Sequence, residues 1–309
     1  MKTVLTWILS LLTGLAASAE VAFDWPGVHV RDYALRNDHQ ELYVTMENVA
    51  KDSSVIVRLE HHNGQWSQPE VASFSGQFKD LEAFLHPNGL QLFFASNRNL
   101  QQDGVSEQFD LWVVSRQSLS LPWQKPVRLP AEINTEQGNE FYPSVTAQGH
   151  LYFTASRDNA PGKEDIFVSR LNNGVYQPAV PLPDAINTAT YEFNAFISPD
   201  EQWLFFSSFG RADDHGGGDL YVSQQVAGQW QPAQNLGNTI NSEQLDYCPF
   251  YDAASGQLYW TSGRSDKAVL ANKLTLSEWM EWVNTGSNGW HKVYHIDWPP
   301  AGQSWPADD

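Results

Sequence analysis

The sequence predicts an all-β protein, a β-propeller built of four-stranded antiparallel blades, and three observations lead there. Short runs of β-branched and aromatic residues are punctuated along the chain by Gly, Asn, Pro and Asp. These runs fall into groups of four whose landmarks return at a fixed period, the mark of a solenoid or propeller. Proline recurs at one place in each group, and a residue with no amide proton is tolerated only on a sheet edge.

The unit is clearest from Glu140 to Thr188. An acid opens each copy at Asp80, Glu140, Glu192 and Asp246, stepping along the chain by 60, 52 and 54 residues. An arginine follows the second run at Arg98, Arg157, Arg211 and Arg264. The third run opens on Asp110, Asp165 or Asp219, each followed by Leu or Ile, an aromatic and Val. An aromatic and a proline mark the fourth run, at Trp66/Pro69, Trp123/Pro126, Tyr176/Pro178 and Trp230/Pro232. Turn pairs such as Asn63-Gly64, Asn88-Gly89 and Asn173-Gly174 separate the runs. The proline-bearing run is therefore the outer rim of each sheet and the acid-bearing run its inner strand. Ile133-Asn134-Thr135, Ile186-Asn187-Thr188 and Ile240-Asn241-Ser242 cross to the next sheet, with Asn expected to bond its own downstream backbone. Second runs such as Trp203-Leu204-Phe205-Phe206 are apolar at consecutive positions, as strands covered on both faces are.

In chain order, residues 1–19 read as a secretory leader: a charged start, a short apolar stretch and Ala17-Ser18-Ala19 before a cleavage point at Glu20. The apolar stretch is shorter than the roughly 20 residues that span a bilayer, and no other stretch suggests a membrane span. The remainder, 20–309, is read as one propeller domain with repeats at about 28–79, 80–139, 140–191, 192–245 and 246–298. The first copy is degenerate: Asp32 replaces the opening acid and the arginine is missing. In the last copy Asp266 stands for the third-run Asp, and Glu278 to Asn284 reads as a short helix or insert. Trp290 to Trp298 has strand character and is expected to pair with Phe23 to Val30, joining the ends. Five blades result, or six if the two termini assemble one more.

The elements Glu-Phe-Tyr-Pro-Ser, Leu-Tyr-Phe-Thr-Ala-Ser-Arg, Asp-Ile-Phe-Val-Ser-Arg and Ala-Ile-Asn-Thr, with their counterparts in neighbouring copies, resemble the TolB-type, WD-repeat-like propeller family of bacterial envelope proteins. The resemblance covers about Asp80 to Arg264. It implies a periplasmic or secreted propeller that binds other proteins or envelope components; related propeller units also occur beside enzymatic domains. No partner-binding segment of that family carries over residue by residue.

A net charge of −18 opposes nucleic-acid binding, which relies on basic patches, and suits a soluble exported monomer. The single Cys248 excludes an internal disulfide framework and reads as a small buried apolar residue. Two sets of residues invite a functional reading. The opening acids Asp80, Glu140, Glu192 and Asp246, facing the tunnel, would form a binding ring at its mouth. Arg98, Arg157, Arg211 and Arg264 with Asp110, Asp165 and Asp219 would form an ion-pair knot at the strand ends, architectural because it is repeated. No catalytic residue, metal ligand or cofactor is assigned. The Asp213-Asp214-His215-Gly216-Gly217-Gly218-Asp219 loop carries oxygen ligands that would suit calcium, although an ordinary surface loop explains it as well. The residues favour binding of a protein or envelope glycan over catalysis. The alternative is a carbohydrate-active hydrolase or lyase using inward carboxylates.

Overall fold

A computed structural model describes residues 18–136, 138–268 and 272–299. The expected leader, apart from its last two residues, lies outside that range. The described chain forms five antiparallel sheets arranged as a five-bladed propeller. The inner strands are His29–Leu35, Asp80–Leu85, Glu140–Val145, Tyr191–Ile197 and Asp246–Asp252. Each packs against the inner strands on either side, and the first touches the last, which closes the ring. Second strands run over Glu41–Glu47, Gln91–Arg98, Leu151–Ala155, Trp203–Phe209 and Gln257–Ser262. Third strands are Ser54–His62, Val105–Ser115, Asp165–Ser169, Asp219–Val226 and Lys292–Asp297.

The rim of blades 1 to 4 is short, at Glu70–Val71, Val127–Arg128, Val180–Pro181 and Gln234–Asn235. Pro69 and Pro126 sit just before these segments and Pro178 and Pro232 two residues before, so the edge never extends into a long unpaired template. Blade 5 takes its rim from the other end of the chain. Glu20–Phe23 pairs antiparallel with Lys292–Asp297, with Glu20 opposite His295 and Val21 opposite Tyr294. The expected partner was Phe23 to Val30. The closing strand lies further upstream, because His29–Leu35 is needed as the inner strand of blade 1. Since both termini complete one blade, no sixth arises among the described residues.

The helix α1, Leu276–Asn284, is inserted between the second and third strands of blade 5, and Thr275 and Glu278 form a capping box at its start. This insert displaces the third strand to Lys292–Asp297. Lys292, not Asp266, therefore stands opposite Ser262, where Asp110, Asp165 and Asp219 stand opposite Ser96, Ala155 and Ser208.

The repeated arginine holds successive blades together. Arg98, Arg157, Arg211 and Arg264 pair with the opening acids Asp80, Glu140, Glu192 and Asp246 at 2.6–3.1 Å. Each also donates to a carbonyl at the end of the preceding blade, of Phe74, Ile133, Ile186 or Ile240. Each guanidinium lies 4.7–5.5 Å from two ring centroids, one on the second strand and one on the third. A flat delocalised cation suits such a slot. The third-strand Asp residues make other bonds: Asp110 accepts from Arg128, Asp165 from the Gly162 amide, and Asp219 from Asn235. The ion-pair knot thus joins acid and arginine without the Asp.

The crossover asparagines also act across the sheet and not on their own turn. Asn134 accepts from the Leu111 amide at 2.8 Å and donates to the Leu111 and Leu129 carbonyls, and Asn187 and Asn241 make the same bonds to Ile166 and Leu220. One planar amide with donors and an acceptor replaces a missing stretch of ladder. Blade 1 has neither the opening acid nor the arginine. It is tied to blade 2 by buried Glu41, which accepts from Arg36, Arg58 and from Arg116 of blade 2.

The arginine clamp predicts a large penalty for its removal. Arg98→Met leaves Asp80 buried without its cation and should cost about 3–5 kcal/mol by chemical denaturation, with Asp80→Asn in the same chain recovering part of the loss. A loss under about 1 kcal/mol would show that the clamp is ornamental.

Candidate functional site

All five inner strands carry a bulge at the same register, between Arg31 and Ala34, Leu81 and Phe84, Phe141 and Ser144, Phe193 and Phe196, and Tyr247 and Phe250. In each, one residue takes left-handed backbone: Asp32 (φ 63°), Glu82 (62°), Tyr142 (46°), Asn194 (52°) and Cys248 (54°). None is glycine, so each position carries strain of order 1–2 kcal/mol. A bulge re-aims side chains, and the bulged residue is of a different type in every blade.

The residues just before the bulges, Arg31, Leu81, Phe141, Phe193 and Tyr247, line an axial cavity of about 380 Å³ at the end where the inner strands begin. Glu82 and Asn194 also reach it. A second cavity of about 260 Å³ lies at the opposite end, among Leu35, Leu85 and Tyr251. Between them the rings of Phe84, Phe196, Phe250 and Tyr33 meet at centroid distances of 5.2–6.0 Å. These rings stand between the two wells.

Each bulge leaves an amide to satisfy, and in three of the five a second-strand threonine of the preceding blade does so. Asp32 N donates to Thr261, Glu82 N to Thr45 and Asn194 N to Thr154, at 3.0–3.1 Å. On blade 2 that second-strand position, opposite Leu81, is Ala95, which has no hydroxyl. The Tyr142 amide donates instead to Glu82 Oε2 at 2.8 Å. Glu82 Oε1 accepts from Arg31 Nη2 at 2.5 Å. Asp32 accepts from Arg31 Nε with one oxygen and from the Glu82 amide with the other. Arg31 Nη2 and Asn194 Nδ2 both point at Cys248 Sγ, at 3.4 and 3.3 Å.

Burial pushes the Glu82 carboxyl above its ordinary range; Arg31 pulls against this and Asp32 adds to it. Burial raises the Cys248 thiol well above its usual value, which removes it as a thiolate nucleophile. His291 lies beside the cavity's Tyr247 and Lys51. Burial, helped by Lys51, His29 and Arg31, lowers its pKa to about 3. Lys51 Nζ lies 3.3 Å from Nε2 and can only donate, so Nδ1 carries the proton to the Tyr247 hydroxyl at 2.6 Å.

Four further charged groups line the cavity: Glu47, Glu164, Lys51 and Lys79. Glu47 is 4% exposed and accepts no hydrogen bond among the described residues. Burial raises the Glu164 carboxyl.

The acids expected at the tunnel mouth are placed elsewhere. Asp80, Glu140, Glu192 and Asp246 are at most 1% exposed and lie in the arginine clamps, and none lines either axial cavity. Asp32 is not the opening acid of blade 1; that register holds Val30, opposite Met46, and Asp32 belongs to the bulge ring. The inner-strand residues of the cavity lie beside the acids, most of them one or two positions past, outside the four landmarks by which the repeat was read. In the Gly-rich loop, a Cβ at Gly216 would fall 2.5 Å from the Glu243 backbone and one at Gly217 2.9 Å from Leu245 N. Close approach to the next blade accounts for these glycines, while Asp213 and Asp214 accept from the Tyr221 hydroxyl.

Two measurements follow. Glu82→Ala should destabilise the chain by about 3 kcal/mol, and adding Ala95→Thr should restore about 1 kcal/mol by giving the Tyr142 amide a hydroxyl; no recovery would disprove the substitution of carboxylate for hydroxyl. A neutral His291 contributes stability that is full above the unfolded imidazole pKa of about 6.5 and declines as pH falls toward 3. His291→Gln should therefore flatten the fall in stability between pH 7 and 5 by about 1–2 kcal/mol, read from melts at both pH values.

No protein-family model and no curated protein matches the sequence. Among solved structures, the catalytic domain of an α-L-arabinofuranosidase from Coprinopsis cinerea superposes with a TM-score of 0.50 at 12% identity, covering 93% of this chain and 98% of that one. TolB from Acinetobacter baumannii gives 0.43 at 9% identity over 89% of this chain, which spans 55% of the TolB structure. A protein of unknown function from Dyadobacter fermentans gives 0.46 at 12% identity, covering 81% and 79%. At such identities these likenesses concern the fold alone: the chain is a five-bladed propeller.

Proposed function

We propose that this chain is an exported, non-catalytic binding propeller that takes part of a protein or cell-envelope component into the axial cavity beside Arg31 and Glu82. The observation that carries the reading is the ring of five strained bulges bordering one well, which is lined by the residues just before them, Arg31, Leu81, Phe141, Phe193 and Tyr247, and by Glu82 and Asn194 of the bulges themselves. Strain retained at equivalent points of every blade, next to a cavity, is the pattern of a built site.

Asp32 and Glu82, beside Arg31, have every carboxylate oxygen already hydrogen-bonded. Both oxygens of Asp32 and both of Glu82 are engaged by Arg31 and by backbone amides. A general acid or base must reach the substrate with a free oxygen. The hydrolase reading keeps the raised Glu82 and Glu164 carboxyls in its support, since a carboxyl that holds its proton closer to neutral pH is what an acid catalyst needs.

Leu245 lines the mouth and is only half-buried, so Leu245→Trp should fill the well without disturbing the blades. The partner crosslinked to the mature wild-type chain, beginning at Glu20, should be lost in this variant at an unchanged melting temperature. Retention of the partner, or polysaccharide turnover that Glu164→Gln abolishes, would overturn the proposal.

A further inference from the structure

Three cationic and three anionic side chains line the axial cavity, and only Arg31 and Glu82 are paired with each other. Glu47, Glu164, Lys51 and Lys79 form no ion pair among the described residues. Glu47 is the most telling. It is more than nine-tenths buried on the second strand of blade 1, lines the cavity, and accepts no hydrogen bond among the described residues. A buried carboxylate without a donor is costly, and natural interiors supply a partner or leave room for one. Lys51, at the exposed rim, has an ammonium whose nearest polar contact is the His291 ring at 3.3 Å, and Lys79 donates to the Lys51 carbonyl at 2.7 Å. Neither lysine is within ion-pair distance of a carboxylate among the described residues, although Glu47 and Lys51 feel one another at longer range. The well thus holds an anion in its wall and cations at its lip that lack a direct partner, and Phe141, Phe193 and Tyr247 line it with them.

From this complementarity we infer that the ligand is zwitterionic where it is captured, a free amino acid or short peptide whose ammonium meets Glu47 and whose carboxylate meets Lys51 and Lys79. The cavity, about 380 Å³, suits a ligand of that size. Its aromatic walls bury the apolar part between the charges. Arg31 is not the carboxylate receptor, because Glu82 and Asp32 already hold its fork. A purely anionic ligand would leave Glu47 unpaired and be repelled by it, and a purely cationic one would face Lys51. Neutral sugars answer neither charge. This inference rests on the axial cavity being the binding site.

The test is calorimetry on the mature chain with free tripeptides Ala-Xaa-Ala and the same peptides N-acetylated or C-amidated. At least one free tripeptide should bind. N-acetylation and Glu47→Gln should each weaken it by about tenfold or more, without adding to one another, as expected for one charge-assisted bond. Amidation and Lys51→Ala should form a second such pair. Glu47→Gln keeps the shape of the side chain and removes an unpaired buried charge, so its melting temperature should be equal to or above wild type, and Lys51 is exposed. Equal binding of free and acetylated peptide, or of wild type and Glu47→Gln, overturns the inference, as does a panel in which nothing binds. If nothing in the panel binds while Leu245→Trp still loses the crosslinked partner, the zwitterion inference alone fails. If Leu245→Trp keeps the partner, the axial reading beneath it fails.

Discussion

The fold depends on one interaction made four times: a guanidinium lying over two neighbouring aromatic rings, paired with a buried acid and bonded to a carbonyl of the preceding blade. It does three jobs at one place. The acid is neutralised, the start of the inner strand is joined to the end of the second, and the blade is fastened to its neighbour. Sheets that touch only through apolar faces could slide, since such contacts lack direction. The planar fork gives the stack its direction. Blade 1, without this set, uses Glu41 and three arginines at its outer side to reach blade 2 and an N-terminal strand to secure blade 5, so the degenerate copy is fastened by other means.

With the scaffold fastened by repeated residues, the bulge ring is free to vary. Backbone geometry is the same in five blades while the side chains are Asp, Glu, Tyr, Asn and Cys. Thr45, Thr154 and Thr261 absorb the amides that the bulges release, so the strain is supported locally. Where Ala95 breaks that pattern, Glu82 reaches over, and a residue that looks catalytic by its burial becomes a strut. A raised carboxyl pKa is therefore a poor guide to catalysis here, because the burial that raises it accompanies full occupation of the oxygens.

The repeat was legible in the sequence because its signals are chemical and periodic. Acid, arginine, third-strand Asp and rim proline each mark a position that packing cannot easily vary. What was not legible was direction. A strand tells which residues alternate, but a one-residue bulge reverses the alternation and leaves no obligatory glycine behind, so Asp80 and Glu140 were read as facing the axis when Glu82 and Tyr142 hold the bulge positions there. The asparagine bonds were missed for a related reason: Asn134 meets Leu111 through a crossover that only the assembled sheet defines. The third strand of blade 5 was hidden by the α1 insert, which moved it beyond the spacing set by the other copies.

Blade 5 joins the two ends of the described chain, with Glu20–Phe23 laid along Lys292–Asp297. The earlier segment thus waits for one made much later. Until then blade 1 has no neighbour on one side and the third strand of blade 5 has a bare edge, both open to wrong pairings. Assembly is consequently an all-at-the-end event: a prematurely truncated chain would have four sheets and no way to shut, whatever the quality of its interior.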